Sequence, residues 1–221
     1  MKTPTILLAD DHSLVLKGVQ GVLERQYQVI GSAGDGKALV EAALRLKPDV
    51  VVLDISMPVL NGIDAAIEIR NALPATRLVF LTMHANAIYL RKAMAAGASA
   101  YVLKSAAVEE LVSAIEAARI GRTYISPDFD PDVLHDVQHA PARSLQTSVD
   151  LSARQRQVLQ LIAEGRQSKE IAEIMHVSVK TVEFHRGRLM SKLGLRTVAE
   201  LTRFAIQEGL IDAAPPVIKP Q

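Results

Sequence analysis

Through the first 122 residues, short aliphatic runs alternate five times with stretches of helical periodicity. The runs fall at residues 5–9, 28–33, 50–53, 78–81 and 100–103, the helical stretches at 13–25, 37–47, 63–73, 87–96 and 107–120. Most of the runs are rich in Val, Ile and Leu without polar alternation, which suits strands buried on both faces of a parallel sheet. Parallel strands need crossover connections, and helices of this length supply them. The pattern predicts an α/β fold, a doubly wound five-stranded parallel sheet with helices on both sides. Gly97 suits a helix C-terminus, and Pro58 and Gly62 make the loop after the third run compact.

Four of the runs end at polar residues of complementary chemistry: Asp10 and Asp11, Asp54, Thr82 and Lys104. Open α/β sheets bind ligands at the carboxyl ends of their strands. The pattern therefore gathers three carboxylates, a hydroxyl and an ammonium at one sheet edge. Phosphoryl transfer needs positive charge around anionic oxygens. Mg²⁺ is a hard cation that takes a few carboxylates plus water and phosphate oxygens, and Asp10, Asp11 and Asp54 can supply the carboxylates. Asp54 is the expected nucleophile, since aspartyl phosphates are a known covalent route. Lys104 is a compact charge able to pair first with Asp54 and then with a phosphoryl oxygen, and Thr82 offers a hydroxyl donor. Taken singly, each residue has a plainer reading: Asp10-Asp11 as a turn or a helix cap, Lys104 as a surface charge. The whole set at four strand ends favours chemistry.

Residues 123–150 break the pattern. They hold Pro127, Pro131 and Pro141 with several Ser and Asp, and read as an interdomain linker with a short helix at 133–137. His135 and His139 are four apart, yet no further ligand types lie nearby, so a solvated pair is the better reading. Over 151–211 only helical periodicity remains. Leu151-Ser152 caps a helix carrying Val158, Leu159, Leu161 and Ile162 that ends at Gly165; Ser168 caps a short helix at 169–175; a turn at His176-Val177 leads to Ser178, a cap for a longer helix at 179–193 that stops at Gly194; a fourth helix covers 198–208. Two helices joined by a tight turn, the second longer and basic, describe a helix-turn-helix. Residues 151–211 carry ten Lys and Arg against six Asp and Glu, and the excess lies within 176–196. Such a patch attracts a phosphate backbone whatever its sequence. Leu201, Ala205 and Ile206 on the fourth helix offer either a dimer contact or packing within the domain. The tail at 212–221, with three prolines, is expected to be flexible.

Residues 1–122 resemble the receiver domain of two-component response regulators, a flavodoxin-like fold. The resemblance rests on Asp10-Asp11, Asp54, Met57-Pro58, Asn61-Gly62, Thr82, Tyr101 and Lys104. It implies a phosphoryl group taken from a sensor histidine kinase. It also implies Mg²⁺ (or Mn²⁺) held by Asp11, Asp54 and the backbone carbonyl of Ser56 with Asp10 assisting, and a switch pair of Thr82 and Tyr101. Residues 151–211 resemble the LuxR-type DNA-binding domain, at Arg154, Arg156, Lys169-Glu170-Ile171-Ala172, Val177-Ser178, Thr181-Val182, His185 and Lys192-Leu193-Gly194 among others. The combination is that of the NarL/FixJ subfamily. It implies that Lys180, Thr181, Glu183, Phe184, His185, Arg188 and Lys192 face double-stranded DNA while Val182, Leu189 and Leu193 pack inward. The resemblance also implies that phosphorylation either drives formation of an active homodimer or releases a masked recognition helix, with RNA polymerase as a further candidate partner. Ser168 and Glu183 depart from the commoner residues of the family. Glu183 is suited either to a cytosine amino group or to a salt bridge with Arg186 or Arg188, and Phe184 either to a thymine methyl or to the core.

The remaining features agree with a cytoplasmic regulator. There is no cysteine, hence no disulfide and no Cys-based metal site. No apolar run reaches the length of a membrane span, and Met1-Lys2-Thr3-Pro4 leads into a strand without the apolar core of a signal peptide. An aspartate-nucleophile phosphatase would want a second acid two residues after Asp54, where Ser56 stands. A small-molecule-sensing LuxR regulator would want an aromatic-lined pocket, against four Phe, four Tyr and no Trp in the chain.

Overall fold

The computed structural model describes residues 3–106, 108–129 and 151–212. The expected helix at 133–137, the His135–His139 pair and the tail beyond Asp212 lie outside the described residues. The chain divides into two compact units, Met1–Thr147 and Ser148–Gln221.

In the first unit β1 (Thr5–Ala9), α1 (Ser13–Leu23), β2 (Gln28–Ala33), α2 (Gly36–Leu46), β3 (Val50–Leu53), α3 (Gly62–Ala72), β4 (Arg77–Thr82), α4 (Ala87–Ala95), β5 (Ala100–Leu103) and α5 (Val108–Arg119) alternate as the sequence predicts. The strands form one parallel sheet in the order β2-β1-β3-β4-β5-β6. The sheet has six strands where the sequence predicts five. The extra one, β6 (Tyr124–Ile125), falls in the segment read as linker and pairs with β5. Two residues between Gly121 and Pro127 are too few to show a period, so their tendency to pair is set by the open edge of β5 rather than by local pattern.

Side chains along each strand alternate between two cores. Leu7, Ala9, Val51, Leu53, Leu78, Phe80, Tyr101 and Leu103 pack with α2, α3 and α4, while Ile6, Leu8, Val50, Val52, Val79, Leu81 and Val102 pack with α1 and α5. Covering both faces is what removes polar alternation from these strands. Helix starts are set by short polar side chains: Asp35 accepts from the Ala38 N–H at 2.7 Å, Asn61 from the Asp64 N–H at 2.9 Å, and Asn86 from the Ile88 and Tyr89 N–H groups at 3.1 Å.

The second unit contains α6 (Ala153–Ala163), α7 (Ser168–Met175), α8 (Val179–Leu193) and α9 (Val198–Gln207). Its core joins Val158, Leu159, Leu161, Ile162, Ile171, Val182, Leu189, Leu201 and Ala205. Ser152 and Ser178 cap α6 and α8 as expected, and His176, at φ 53°, makes the left-handed turn between α7 and α8. One expectation changes. Gln167, not Ser168, is the extended residue before α7, with its N–H donating to Glu170 at 2.8 Å, and Ser168 is the first helical residue. Of the three candidates on α9, Leu201 and Ala205 are wholly buried and follow the reading of packing within the domain, while Ile206 is half-buried. No helix among the described residues is long and apolar enough to cross a membrane.

Candidate functional site

The strand order reverses between β1 and β3, which run on from their carboxyl ends to Asp10 and Asp54. A crevice at such a reversal is where open α/β sheets place ligands. The sheet's hydrogen bonds continue one residue past the strands and pin the site backbone. Asp10 N–H donates to the carbonyl of Ala33 at 3.1 Å, Asp54 N–H to that of Ala9 at 2.9 Å and Lys104 N–H to that of Thr82 at 2.8 Å. The functional side chains thus leave from rigid positions.

Lys104 bridges the two buried acids, its Nζ lying 2.6 Å from Asp54 Oδ2 and 2.7 Å from Asp10 Oδ2. Asp54 Oδ1 accepts the Ile55 N–H at 2.6 Å. Burial by itself would lower the Lys104 ammonium, but its bonds to Asp10 and Asp54 outweigh that and hold it above its ordinary value. Burial, with the like charge of Asp10 beside it, pushes the Asp54 carboxyl upward, and Lys104 and the Ile55 N–H pull it only partly back. Three carboxylates, Asp10, Asp11 and Asp54, thus stand around one lysine ammonium.

Asp10, Asp11, His12 and Asp54 present ligand atoms that all lie within 4.8 Å of one another. Three of the four are carboxylates, the hard donors a divalent cation such as Mg²⁺ selects. His12 was not among the expected site residues. Its Nδ1 lies 2.7 Å from Asp11 Oδ1 and 3.2 Å from Asp10 Oδ1, and its N–H bonds Asp10 Oδ1 at 2.9 Å. Adjacency to the paired acids was the one available signal.

A second cluster flanks the pocket. Thr82 is fully buried at the end of β4, and its Oγ1 accepts the His84 N–H at 3.4 Å. The Ser56 hydroxyl meets His84 Nε2 at 2.7 Å, and the His84 ring stacks on Tyr89 with centroids 3.8 Å apart. Tyr101 is wholly buried, and its hydroxyl donates to the His84 carbonyl at 2.8 Å. Burial first, and then the Asp54 charge, push the Tyr101 phenol well above its ordinary value, so it stays a donor. His84 joins the loops that follow Asp54 and Thr82, a role with no sequence signature.

In the second unit Lys180, Glu183, Phe184, Arg188 and Lys192 lie exposed on α8, and Thr181 and His185 are half-buried. Val182 and Leu189 are fully buried beneath them. Phe184 is 56% exposed, so it does not complete the core. The Arg188 guanidinium sits 4.7 Å above its ring. Glu183 takes a hydrogen bond from the Ser168 hydroxyl of α7, so the departure at 168 and the departure at 183 are partners. The expected salt bridge from Glu183 to Arg186 or Arg188 is replaced by that contact.

An acidic pocket at the switch point of a doubly wound sheet, in one chain with a basic helix-turn-helix, defines a two-domain regulator of transcription. The family model of the response regulator receiver domain matches residues 6–116, and that of the bacterial regulatory proteins of the luxR family matches residues 149–205. The chain is 40% identical over 209 residues to the transcriptional regulatory protein MctR of Rhizobium johnstonii, covering 93% of this chain and 94% of that one. It is 36% identical over 214 residues to the oxygen regulatory protein NreC of Staphylococcus carnosus, covering 94% and 99%. It superposes on the RcsB response regulator of Salmonella typhimurium with a TM-score of 0.61 at 28% identity, over 94% of this chain and 99% of that one. A further likeness, with a TM-score of 0.57 at 27% identity over 95% and 98%, is to RcsB of Salmonella enterica serovar Typhimurium bound to a promoter in the presence of phosphomimetic BeF3-. The chain belongs to the two-component response regulators of the NarL/FixJ type, with a receiver domain and a LuxR-type DNA-binding domain.

Proposed function

We propose that Asp54 is the phosphoacceptor and that its phosphorylation by a sensor histidine kinase controls DNA binding by α8. The carrying observation is Asp54 itself, buried at the switch point, raised in pKa and bonded to Lys104. In the transfer a carboxylate oxygen of Asp54 attacks the phosphorus of a phosphohistidine. The P–O bond forms as the P–N bond breaks, and the imidazole leaves with the electron pair and is protonated. Asp10, Asp11 and Asp54 would hold Mg²⁺ or Mn²⁺, with the Ser56 carbonyl as a further ligand; the cation would supply positive charge to the phosphoryl oxygens. Lys104 then exchanges part of its pairing with Asp54 for a phosphoryl oxygen, and Thr82 donates its hydroxyl to another. Thr82 and Tyr101 act as the switch pair.

On this reading residues 1–122 are the receiver, 123–150 the connection, which begins with β6 along the sheet edge, and 151–211 the DNA-binding domain. Lys180, Arg188 and Lys192 meet phosphates or guanine, while Thr181 and His185 contact the backbone. Phe184 reads a thymine methyl, and Glu183 accepts from a cytosine amino group. One relative has been solved as two RcsB dimers bound to two parallel DNAs, which supports a homodimer here, with RNA polymerase recruited at the promoter. The test is DNA affinity and oligomeric state with and without a small phosphoryl donor and Mg²⁺, in wild type and Asp54→Asn. Tighter binding in wild type alone supports the reading; equal binding by both proteins under all conditions overturns it.

A further inference from the structure

The chain beyond α5 does not leave the sheet. Gly121, at φ +78°, turns it back, and β6 lies along β5 with Ile125 in register beside Tyr101. The Tyr124 N–H donates to the Ser99 carbonyl at 3.2 Å and the Ser126 N–H to the Tyr101 carbonyl at 2.9 Å. Ser126 is fully buried. Its hydroxyl accepts the Leu103 N–H at 3.2 Å and donates to the Glu110 carboxylate of α5. A turn closed by the Phe129 N–H and the Ser126 carbonyl, 3.4 Å apart, brings Phe129 back over the sheet. Phe129 is 3% exposed and meets Tyr101 edge to face, centroids 5.5 Å apart at 71°. Phe80 stacks at 6.2 Å from the same tyrosine ring. Phe80 and Phe129 thus both pack on the ring whose hydroxyl reaches His84.

We propose that Phe129 is a positioning residue for Tyr101, and that residues 124–129 form a strap docked on β5 only while Tyr101 is turned inward. The inference rests on the reading that Tyr101 reports the state of Asp54. Phe129 and the inward Tyr101 ring complete one packed cluster, and cores of this density are bistable rather than continuously deformable. If Tyr101 swings out, Phe129 loses its aromatic partner and the strap keeps its short ladder and the bonds of the Ser126 hydroxyl. If the strap lifts, Tyr101 loses one wall of its site. The coupling is reciprocal, as any linkage must be. The strap lies immediately before the segment that leads to the DNA-binding unit. Ser126 adds a second link, because it holds the Leu103 N–H next to Lys104.

The test is amide hydrogen exchange on the full chain, with and without beryllofluoride and Mg²⁺, alongside DNA affinity under the same conditions. In wild type, protection of residues 124–129 is expected to rise at least tenfold with beryllofluoride. In Phe129→Ala the rise is expected to vanish while beryllofluoride still binds at Asp54, and Phe129→Tyr is expected to restore it. A purely structural Phe129 would lower protection equally in both states. If DNA affinity responds to beryllofluoride in wild type and the strap does not, the strap proposal is overturned and the Asp54 reading stands. If DNA affinity does not respond at all, both are overturned. The wild-type comparison needs no substitution, so a variant that fails to fold does not shelter the proposal.

Discussion

Gly62→Ala sets the site against the backbone that builds it. Gly62 opens α3, and a Cβ there would lie 1.9 Å from the Asp54 carbonyl oxygen, 2.9 Å from its carbon and 3.0 Å from Ile55 Cα. All three are backbone atoms, so no side chain can swing aside. Restoring an ordinary contact needs about 1.5 Å of separation between the start of α3 and the end of β3, more than a packed interior yields without loss. That movement also breaks the bond from the Gly62 N–H to the Ile55 carbonyl, 2.8 Å long. Overpacking of ~1–3 kcal/mol and a lost buried hydrogen bond of ~1 kcal/mol give an expected destabilisation of ~2–4 kcal/mol. The assay is urea unfolding followed by circular dichroism, since the chain has no Trp. Gly18→Ala is the control. Nothing lies within 4 Å of a Cβ at that exposed position inside α1, so helix propensity alone should stabilise by ~0.5–1 kcal/mol. The same substitution is thus expected to act with opposite sign at two glycines of one domain. Phosphorylation of Gly62→Ala should slow as well, because the Asp54 backbone is displaced. A Gly62→Ala protein within ~1 kcal/mol of wild type would refute the reasoning, since overpacking would then cost nothing here.

Three further outcomes are expected. The Tyr27 hydroxyl donates to Glu116 at 2.6 Å, and that bond, helped by Arg119 and opposed by burial, holds the Glu116 carboxyl below its ordinary 4.5. A lowered carboxylate contributes stability that is present above 4.5 and lost as pH falls through its folded value. Tyr27→Phe should therefore flatten the fall in melting temperature below that pH, and parallel curves for the two proteins would sink the assignment. Ser178 Oγ accepts the Thr181 N–H at 3.1 Å at the start of α8; Ser178→Ala should cost ~1 kcal/mol and weaken DNA binding, and unchanged thermal stability would count against that cap. Mg²⁺ at ten times its dissociation constant should add ~1.4 kcal/mol to wild-type stability and clearly less to Asp11→Asn, as calorimetry would show; equal gains would place the cation elsewhere.

The order of strands and helices and the convergence of Asp10, Asp54, Thr82 and Lys104 were legible because both follow from spacing. Runs buried on two faces carry a strong signal, and the carboxyl ends of parallel strands face one way. What escaped the sequence depends on long-range fit. His84 earns its place by touching Ser56, Tyr89 and Tyr101, residues up to 28 positions away. Gln167 precedes α7, although Gln is not a favoured capping residue, because the extended backbone there and the side chain of Glu170 suffice. Glu183 turned to Ser168 rather than to Arg186 or Arg188, since the turn at His176 brings the start of α7 alongside α8, a distance that one-dimensional spacing cannot express. Phe129 looked like part of a linker because its partner ring lies 28 residues earlier.

The two-residue strand β6 has a consequence for solubility. A sheet that stopped at β5 would leave the backbone of residues 100–103 open along an apolar edge, a ready template for pairing with another chain. β6 occupies that edge and then offers almost none of its own, because it is very short and Pro127 follows two residues later. A receiver fragment cut at residue 122 should therefore self-associate, whereas one carried through Phe129 should stay dispersed.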